Sequence, residues 1–167
     1  MNKYTPFFAG IILLPSVLIL TSCNSDNDND DGGIFIPVEP FMSANIDGES
    51  WDAEFVIFTA PSGHLIVDGV GDDGTAIKLV IDNYTGAGSY NFSPSDFNTY
   101  ANWQDIDNSF FTYLAGSGVL EVTSDKEGEL GRQVSGTFNF TANNVNQGTT
   151  TINVTDGEFS ADLLDNQ

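Results

Sequence analysis

The amino-acid sequence predicts an all-β protein, a single antiparallel β-sandwich or up-and-down barrel of about eight to ten short strands. Two observations support this class. From residue 41 onward, apolar and polar residues alternate with a period of two in many short segments. Clusters of Gly, Asn and Asp separate these segments, as expected for tight turns between antiparallel strands. We therefore place one β domain at residues 41–167 and expect at most one short helix.

The composition excludes several classes of function. The chain has 167 residues, with 24 Asp and Glu against 4 Lys and Arg, and a formal net charge of −20. Such an acidic protein lacks the basic face that binds nucleic acid. A single Cys and a single His exclude an internal disulfide and a Cys/His zinc site. The length fits one domain once a targeting segment and a tail are allowed for.

Residues 1–22 are typical of a secretory signal. Lys3 precedes an apolar run from Phe7 to Leu20, which is shorter than the roughly 20 residues that span a bilayer. The segment Leu20–Cys23, Leu-Thr-Ser-Cys, then resembles the lipobox of bacterial lipoproteins. The resemblance implies that residues 1–22 form a lipoprotein signal peptide and that Cys23 carries the lipid that anchors the protein to the membrane. A signal cut elsewhere, with Cys23 a free thiol, is the alternative.

Residues 23–40 are predicted to comprise the lipidated Cys and an acidic, flexible tether that follows it. Its polar part, Asn24–Gly33, cannot bury enough apolar surface to order itself. Acidic residues directly after Cys23 resemble the export signal of Bacteroidota surface lipoproteins, which implies the outer membrane and the cell exterior as location. A plain solvated tether is one alternative. A calcium loop beginning Asp26-x-Asp28-x-Asp30 is another, but Asp31 stands where such a loop requires Gly. The apolar segment Ile34–Val38 is a candidate edge strand.

The predicted strands each place apolar residues on a common face. In chain order they are Met42–Ile46, Trp51–Ile57, Leu65–Val70, Ile77–Ile81, Tyr90–Phe92, Val119–Thr123, Val134–Ala142, Ile152–Val154 and Phe159–Leu163.

Turn residues mark the boundaries between these strands. Asp47-Gly48 predicts a tight hairpin. The apolar parity changes at Asp156-Gly157, which predicts a turn or a bulge. Ser93–Asp96 has the Ser-Pro-x-Asp pattern of a short helix start.

Individual strands also predict which side chains share a face. Val134–Ala142 alternates strictly and is the clearest strand with one buried and one exposed face. In Trp51–Ile57 the residues Trp51, Ala53, Phe55 and Ile57 are predicted to share one face.

Two long segments resemble a family of small Bacteroidota lipoproteins that carry a domain of unknown function. One is Phe41–Gly48, Phe-Met-Ser-Ala-Asn-Ile-Asp-Gly, followed by Trp51 and Ala53. The other is Val134–Ala142, which contains Gly-Thr-Phe-Asn-Phe-Thr-Ala, followed by Ile152–Phe159. Gly118–Thr123 fits the strand before the second segment. The resemblance implies a β-rich domain, a sandwich or a calycin-like barrel, and it implies no catalytic residue.

Aromatic residues concentrate between residues 84 and 113. Sugar faces and flat apolar molecules stack on such rings, and neighbouring polar groups orient them. The alternative is ordinary packing in and around the core, because β domains bury aromatic side chains routinely. The candidate ligand-binding residues are Tyr84, Tyr90, Tyr100, Trp103 and Tyr113.

Two acidic segments are candidate binding sites for calcium, which is the one cofactor that we consider. The candidate ligands are Asp68, Asp72 and Asp73 in one segment and Asp105 and Asp107 in the other. Their oxygen atoms suit a hard cation, although Asp is also favoured in turns. The first segment contains Gly69-x-Gly71-x-x-Gly74, the letters of a dinucleotide fingerprint. A strand-like run follows where that fingerprint needs a helix, so we predict a hairpin turn.

These features favour a non-enzymatic lipoprotein on the outer-membrane surface that binds a glycan or a small apolar molecule. A structural or protein-interaction module with a partner from the cell envelope is the first alternative. A hydrolase that uses a pair of carboxylates is the second, because 24 acidic residues offer many pairs. His64 lies near Ser62 in the sequence, but a catalytic pair is defined by geometry rather than by spacing.

Overall fold

The computed structural model describes residues 39–93, 98–105, 112–128, 131–146 and 150–164. These residues form one antiparallel sheet that curls strongly into a half-barrel, and no helix is found among them. The predicted all-β class is therefore confirmed. The predicted signal peptide, Cys23 and the predicted tether up to residue 38 lie outside the described residues, as does most of Ser93–Asp96. Within the described ranges, no helix has the length and apolar character needed to cross a membrane.

Ten strands make up the described sheet. In chain order they are β1 (Phe41–Ile46), β2 (Glu49–Asp52), β3 (Phe55–Thr59), β4 (His64–Val70), β5 (Thr75–Asp82), β6 (Gly88–Phe92), β7 (Thr99–Asp105), β8 (Thr112–Gly128), β9 (Gly131–Asn144) and β10 (Thr151–Leu164). Their order in the sheet is β2-β1-β10-β9-β8-β7-β5-β4-β3. β6 and β7 follow one another along the same edge of the long strand β8.

The predicted turns have the backbone conformations that their residues allow. Asp47 and Gly48 have φ angles of 51° and 92°, as a two-residue hairpin between β1 and β2 requires. The change of parity at Asp156-Gly157 is a bulge in β10, with Asp156 at φ 51° and a register shift against β9. Gly71 N donates to Thr75 O at 2.8 Å in the turn before β5. Since a strand follows this turn, the dinucleotide pattern is a hairpin, as predicted.

The core lies on the inner face of the curled sheet. β9 supplies Val134, Phe138, Phe140 and Ala142, all of which are buried as the alternation predicted. Opposite strands contribute further fully buried apolar side chains, among them Met42, Leu65, Ile77, Leu79, Ile81, Leu120, Val154 and Phe159. One cluster connects these residues. The interior of the half-barrel is therefore occupied by side chains.

The prediction for Trp51–Ile57 is wrong. Trp51 is 7% exposed, whereas Phe55 is 49% and Ile57 52% exposed. The chain turns a corner between them: Ala53 N donates to Met42 O at 2.9 Å, and Glu54 N donates to Val70 O at 2.8 Å. The strand to which the chain hydrogen-bonds thus changes from β1 to β4 within two residues. At the same point, the set of alternate residues that faces the core changes as well. The same two residues connect the two ends of the sheet.

Side chains hold these two ends together. Trp51 Nε1 donates to Thr75 Oγ1 at 2.6 Å, so the indole on β2 reaches the beginning of β5. A Cβ atom on Gly69 would lie 2.7 Å from Met42 Sδ, which shows how closely β4 approaches β1. A larger residue at this position would force the side chains of Met42 and Trp51 to shift, because strands from opposite ends of the sheet meet there.

Candidate functional site

The five predicted aromatic residues do not form one surface. Tyr84 and Tyr90 pair with ring centroids 5.7 Å apart, and Trp103 and Tyr113 form a separate edge-to-face pair at 5.2 Å. These four are buried or packed against the core. Tyr100 lies on the outer face of β7, because Ala101 beside it is fully buried on the inner face. This arrangement favours core packing over a shared ligand site.

Tyr84 belongs to a polar cluster at the far end of β8 and β9. Arg132 binds the Asp125 carboxylate through Nε and Nη2 at 2.8 and 2.7 Å, and Tyr84 Oη donates to the same carboxylate at 2.8 Å. The Arg132 guanidinium also lies 5.3 Å from the centre of the Tyr84 ring. The hydrogen bond from Arg132 lowers the pKa of Asp125, and burial raises the pKa of Tyr84. All three groups are engaged with one another, so the cluster stabilises the fold.

Trp103 leads into the second predicted acidic segment. Its Nε1 atom is buried and has no hydrogen-bond partner among the residues that the structure describes. Asp105 ends β7, and Asp107 lies outside the described residues. A calcium site at Asp105 and Asp107 therefore stays a prediction.

The first acidic segment is divided between two environments. Asp68 lies within β4 and pairs with Lys78 Nζ at 3.0 Å. Asp72 and Asp73 lie in the turn after β4, where hydrogen bonds from the side chain and backbone of Thr75 lower the pKa of Asp73. In the part of the chain that the structure covers, no three His, Cys, Asp or Glu side chains are placed to hold a metal ion. The three predicted calcium ligands are thus not brought together.

A cleft of about 500 Å³ opens where the two ends of the sheet meet. Its lining comes from the corner after β2 and from the turn after β4: Ser50, Trp51, Asp52, Ala53, Glu54, Asp72 and Asp73. Four of these residues are acidic, and none is basic. We call this feature the acidic cleft. Sequence reasoning missed it because the two segments are about 20 residues apart in the sequence and meet only through the corner at Ala53–Glu54 and the Trp51–Thr75 contact.

The outer face of β3, β4, β5 and β7 carries an apolar surface. The register places Phe55 beside Val70 at one end, and Ile66, Val80 and Tyr100 side by side at the other. Ile57 lies between these two rows, next to the Asp68–Lys78 pair. We call this surface the outer patch, formed by Phe55, Ile57, Ile66, Val70, Val80 and Tyr100.

The outer patch is separate from the core and differs from the remaining outer face. Val80 is only 6% exposed, yet it lies outside the core cluster, because its neighbours on the outer face cover it. The outer face of β9 and β10 is polar, with Asn139, Thr141, Asn153 and Thr155, and Thr141 Oγ1 bonds Asn153 Oδ1 at 3.1 Å. Among the described residues, four large apolar side chains are exposed: Phe55 and Ile57 belong to the outer patch, whereas Phe41 on β1 and Val145 after β9 lie elsewhere.

His64 is placed at the beginning of β4. Its Nδ1 atom lies 2.6 Å from Asp82 Oδ1 in a partly exposed pair. The backbone N of His64 donates to Pro61 O in the preceding turn. The pair joins the beginning of β4 to the end of β5. In the described residues, no Ser, Thr or Cys side chain is seen hydrogen-bonded to the His64 ring.

These observations define a small all-β domain with an occupied interior, an acidic cleft and one apolar outer surface. A protein family described as "Domain of unknown function (DUF6252)" matches residues 38–161. This match covers most of the chain, and the chain belongs to that family. Comparison with curated proteins gave no match, and comparison with solved structures gave none either.

Proposed function

We propose that this chain is a lipoprotein anchored to the outer membrane through Cys23, with a β domain that faces the cell exterior and acts as a non-catalytic protein-interaction module. The observation that supports the interaction role is the outer patch. Exposed apolar side chains that stand together on one face, here Phe55 and Ile57, are typical of sites that bind other proteins. Of the binding roles considered from the sequence, the protein-interaction module is the one that fits this surface.

The outer patch is not explained by folding alone. Phe55 and Ile57 are about half exposed, and neither belongs to the core cluster. Replacing either by a polar residue would leave the inner side chains of the same strand, Val56 and Phe58, in place. Apolar residues at these positions gain little from folding, so covering them with a partner accounts better for their presence.

A glycan or small apolar ligand is less well supported. Such a ligand needs aromatic faces that are free to stack, whereas four of the five candidate rings are buried or packed against the core. The interior of the half-barrel is occupied by the core cluster as well. Tyr100 is the one candidate ring on the outer face, and there it forms part of the outer patch.

The anchor is tested by acyl labelling of the full chain in a bacterium that processes lipoproteins. We expect incorporation of labelled palmitate and recovery in the membrane fraction, both of which are lost in Cys23→Ser. Protease added to intact cells should degrade the β domain. Labelling that persists in Cys23→Ser contradicts the anchor, and degradation only after lysis contradicts surface exposure.

The interaction role is tested by photo-crosslinking on intact cells. A photoreactive side chain is introduced at Ile57, and a matched one at Val145, which is 57% exposed after β9. We expect a defined cross-linked protein from position 57 and none from position 145. Equal yields from both positions would show non-specific collision and would contradict the proposal.

A further inference from the structure

We propose that the partner covers the outer patch with one amphipathic α-helix, which lies diagonally across β3, β4, β5 and β7. The helix carries Lys or Arg at the end beside the acidic cleft. This inference rests on the proposed function and specifies the chemistry of the partner at the same surface.

The partner has to approach these strands through their outer face. β3 pairs with β4 on one side and lies close to β10 and β1 on the other, so an added strand finds no open edge beside Phe55 and Ile57. At the opposite side of the group, β7 pairs with β8 over Asn102–Gln104. β6 has an unpaired side, but none of the residues of the outer patch belongs to β6. The accessible apolar groups are the side chains on the face, where Phe55 and Ile57 are about half exposed.

The outer patch has the shape of a diagonal band. One end of the band is Phe55 on β3, and the other end is Tyr100 on β7. In the register, the row of Phe55 ends at Gln104 on β7, and the row of Tyr100 ends at Thr59 on β3. Polar residues therefore occupy the two remaining corners of this face. A narrow apolar band between polar corners matches the apolar stripe of an amphipathic helix, and helices are common covers of apolar sheet faces.

The band has the length of three to four helical turns. β4 and β5 lie between β3 and β7, so the two outer strands are separated by about 14 Å. Tyr100 lies four residues along β7 from Gln104, which is about 13 Å. The diagonal from Phe55 to Tyr100 is therefore about 20 Å. A helix covers this distance with about 13 residues, whereas an extended strand needs only about six.

The acidic cleft selects a basic helix end. Glu54 directly precedes Phe55, and Asp72 follows Val70, the residue that pairs with Phe55, by two positions. The acidic cleft thus adjoins the Phe55 end of the band, and its lining contains no Lys or Arg. Lys or Arg on the partner at this end would speed association and fix the direction in which the helix lies.

The other charged side chains on this face are already paired. Asp68 binds Lys78 Nζ at 3.0 Å, and Asp82 lies 2.6 Å from His64 Nδ1. These pairs balance charge within the face, so the demand for a basic group falls on the acidic cleft. The expected helix is therefore apolar along the band and basic at the Phe55 end.

The test is photo-crosslinking on intact cells that naturally produce the protein, with the reacting residues of the partner mapped by mass spectrometry. A benzophenone side chain replaces Phe55 in one variant and Tyr100 in another. We expect both to react with one segment of one protein, at residues about 13 apart. The segment should repeat apolar residues at intervals of three and four and carry Lys or Arg near the residue that reacts with position 55. A third probe at Ile57 should react between the other two.

Removal of charge tests the basic end of the helix. Glu54→Gln combined with Asp72→Asn should lower the cross-linking yield from position 55 by about fivefold. Glu121→Gln combined with Glu158→Gln is the matched control, because both glutamates are exposed, lie on β8 and β10, and change the net charge equally. Melting curves of the full-length variants in detergent verify that each one folds. Equal yields from the two double variants overturn the basic end and with it the proposal.

The remaining outcomes separate this inference from the proposed function. Reacting residues about six apart would show an extended segment, and residues scattered over the partner would show a broad folded surface. Either result overturns the helix but leaves the interaction role standing. Cross-links to lipid instead of protein, or no cross-linked protein from any of the three positions, would overturn both proposals.

Discussion

Replacing Thr75 with Val tests whether the two ends of the curled sheet are held together by a side-chain hydrogen bond. Thr75 Oγ1 accepts from Trp51 Nε1 at 2.6 Å and donates to Asp73 Oδ1 at 2.5 Å. Valine has nearly the same shape as threonine and removes both bonds. The change therefore keeps the side-chain shape while it removes the polar contact between β2 and β5 together with the bond to Asp73.

The expected loss of stability follows from burial. Trp51 is 7% exposed, so its indole N–H becomes a largely buried donor without an acceptor when Thr75 Oγ1 is removed, which costs about 1–3 kcal/mol. The loss at Asp73 is smaller, about 0.5–1 kcal/mol, because the backbone N of Thr75 still donates to it at 3.0 Å. We expect a total of about 1.5–4 kcal/mol. At roughly 4 °C per kcal/mol for a domain of this size, Tm should fall by about 6–16 °C.

Urea and thermal unfolding, followed by tryptophan fluorescence, measure this change. Thr137→Val is the matched control, because Thr137 is exposed on the outer face of β9 and should change stability by less than about 0.5 kcal/mol. The bond itself is tested by a double-mutant cycle with Trp51→Phe. We expect the two changes to couple by about 1 kcal/mol or more. Additivity within about 0.5 kcal/mol would refute the hydrogen bond as the link between the sheet ends.

Two further predictions concern the β8–β10 region. Gly157→Ala would place a Cβ 2.5 Å from the Phe138 ring and 2.6 Å from the Phe138 carbonyl oxygen, so the free energy of unfolding should fall by about 1–3 kcal/mol. Gly88→Ala, with no heavy atom closer than 3.9 Å, should be neutral in the same denaturation assay, and equal effects would contradict the close approach. Asp125→Asn should cost about 2 kcal/mol at pH 7 because it breaks a two-bond pair with Arg132. Since the folded pKa of Asp125 is lowered, its contribution is complete above the unfolded value of about 3.9 and is lost as the pH falls below that value. Unfolding curves of wild type and variant should therefore converge in acid, and a constant difference down to pH 2 would show that the charge is not involved.

Local patterns predicted much of the fold. The alternation in β9 identified the buried face, since each apolar residue there faces the same core along one straight strand. Asp47-Gly48 and Asp156-Gly157 were identified because a positive φ demands such residue types. These features depend on neighbours in the sequence, so one sequence is sufficient to predict them.

The corner at Ala53–Glu54 was not predictable in this way. The alternation through Trp51, Phe55 and Ile57 is unbroken in the sequence, but the change of partner from β1 to β4 reverses which side faces the core. No turn residue marks the corner, because the chain bends by exchanging hydrogen-bond partners. Knowledge of both partner strands is needed to predict it.

The candidate site was missed for a related reason. Phe55, Ile66, Val80 and Tyr100 come from four strands, and only the register brings them side by side. A single apolar residue opposite the buried face, such as Val80, does not identify a surface until its neighbours in the sheet are known. The aromatic candidates of 84–113 are close in sequence, yet four of the five pack in or against the core and only Tyr100 lies on the outer face.

The pairing of β1 with β10 has a consequence for how the chain folds. Every other pairing in the described sheet joins strands that are consecutive or separated by one strand, whereas Asn45 and Asp156 are bonded across 111 residues. Such a distant contact must wait for the slow closure of a long loop. The β1–β2 hairpin is synthesised first, but it can join the sheet only after β10 has been synthesised. A chain interrupted before residue 151 would expose an unpaired β1 edge, and aggregation rather than folding would be its expected fate.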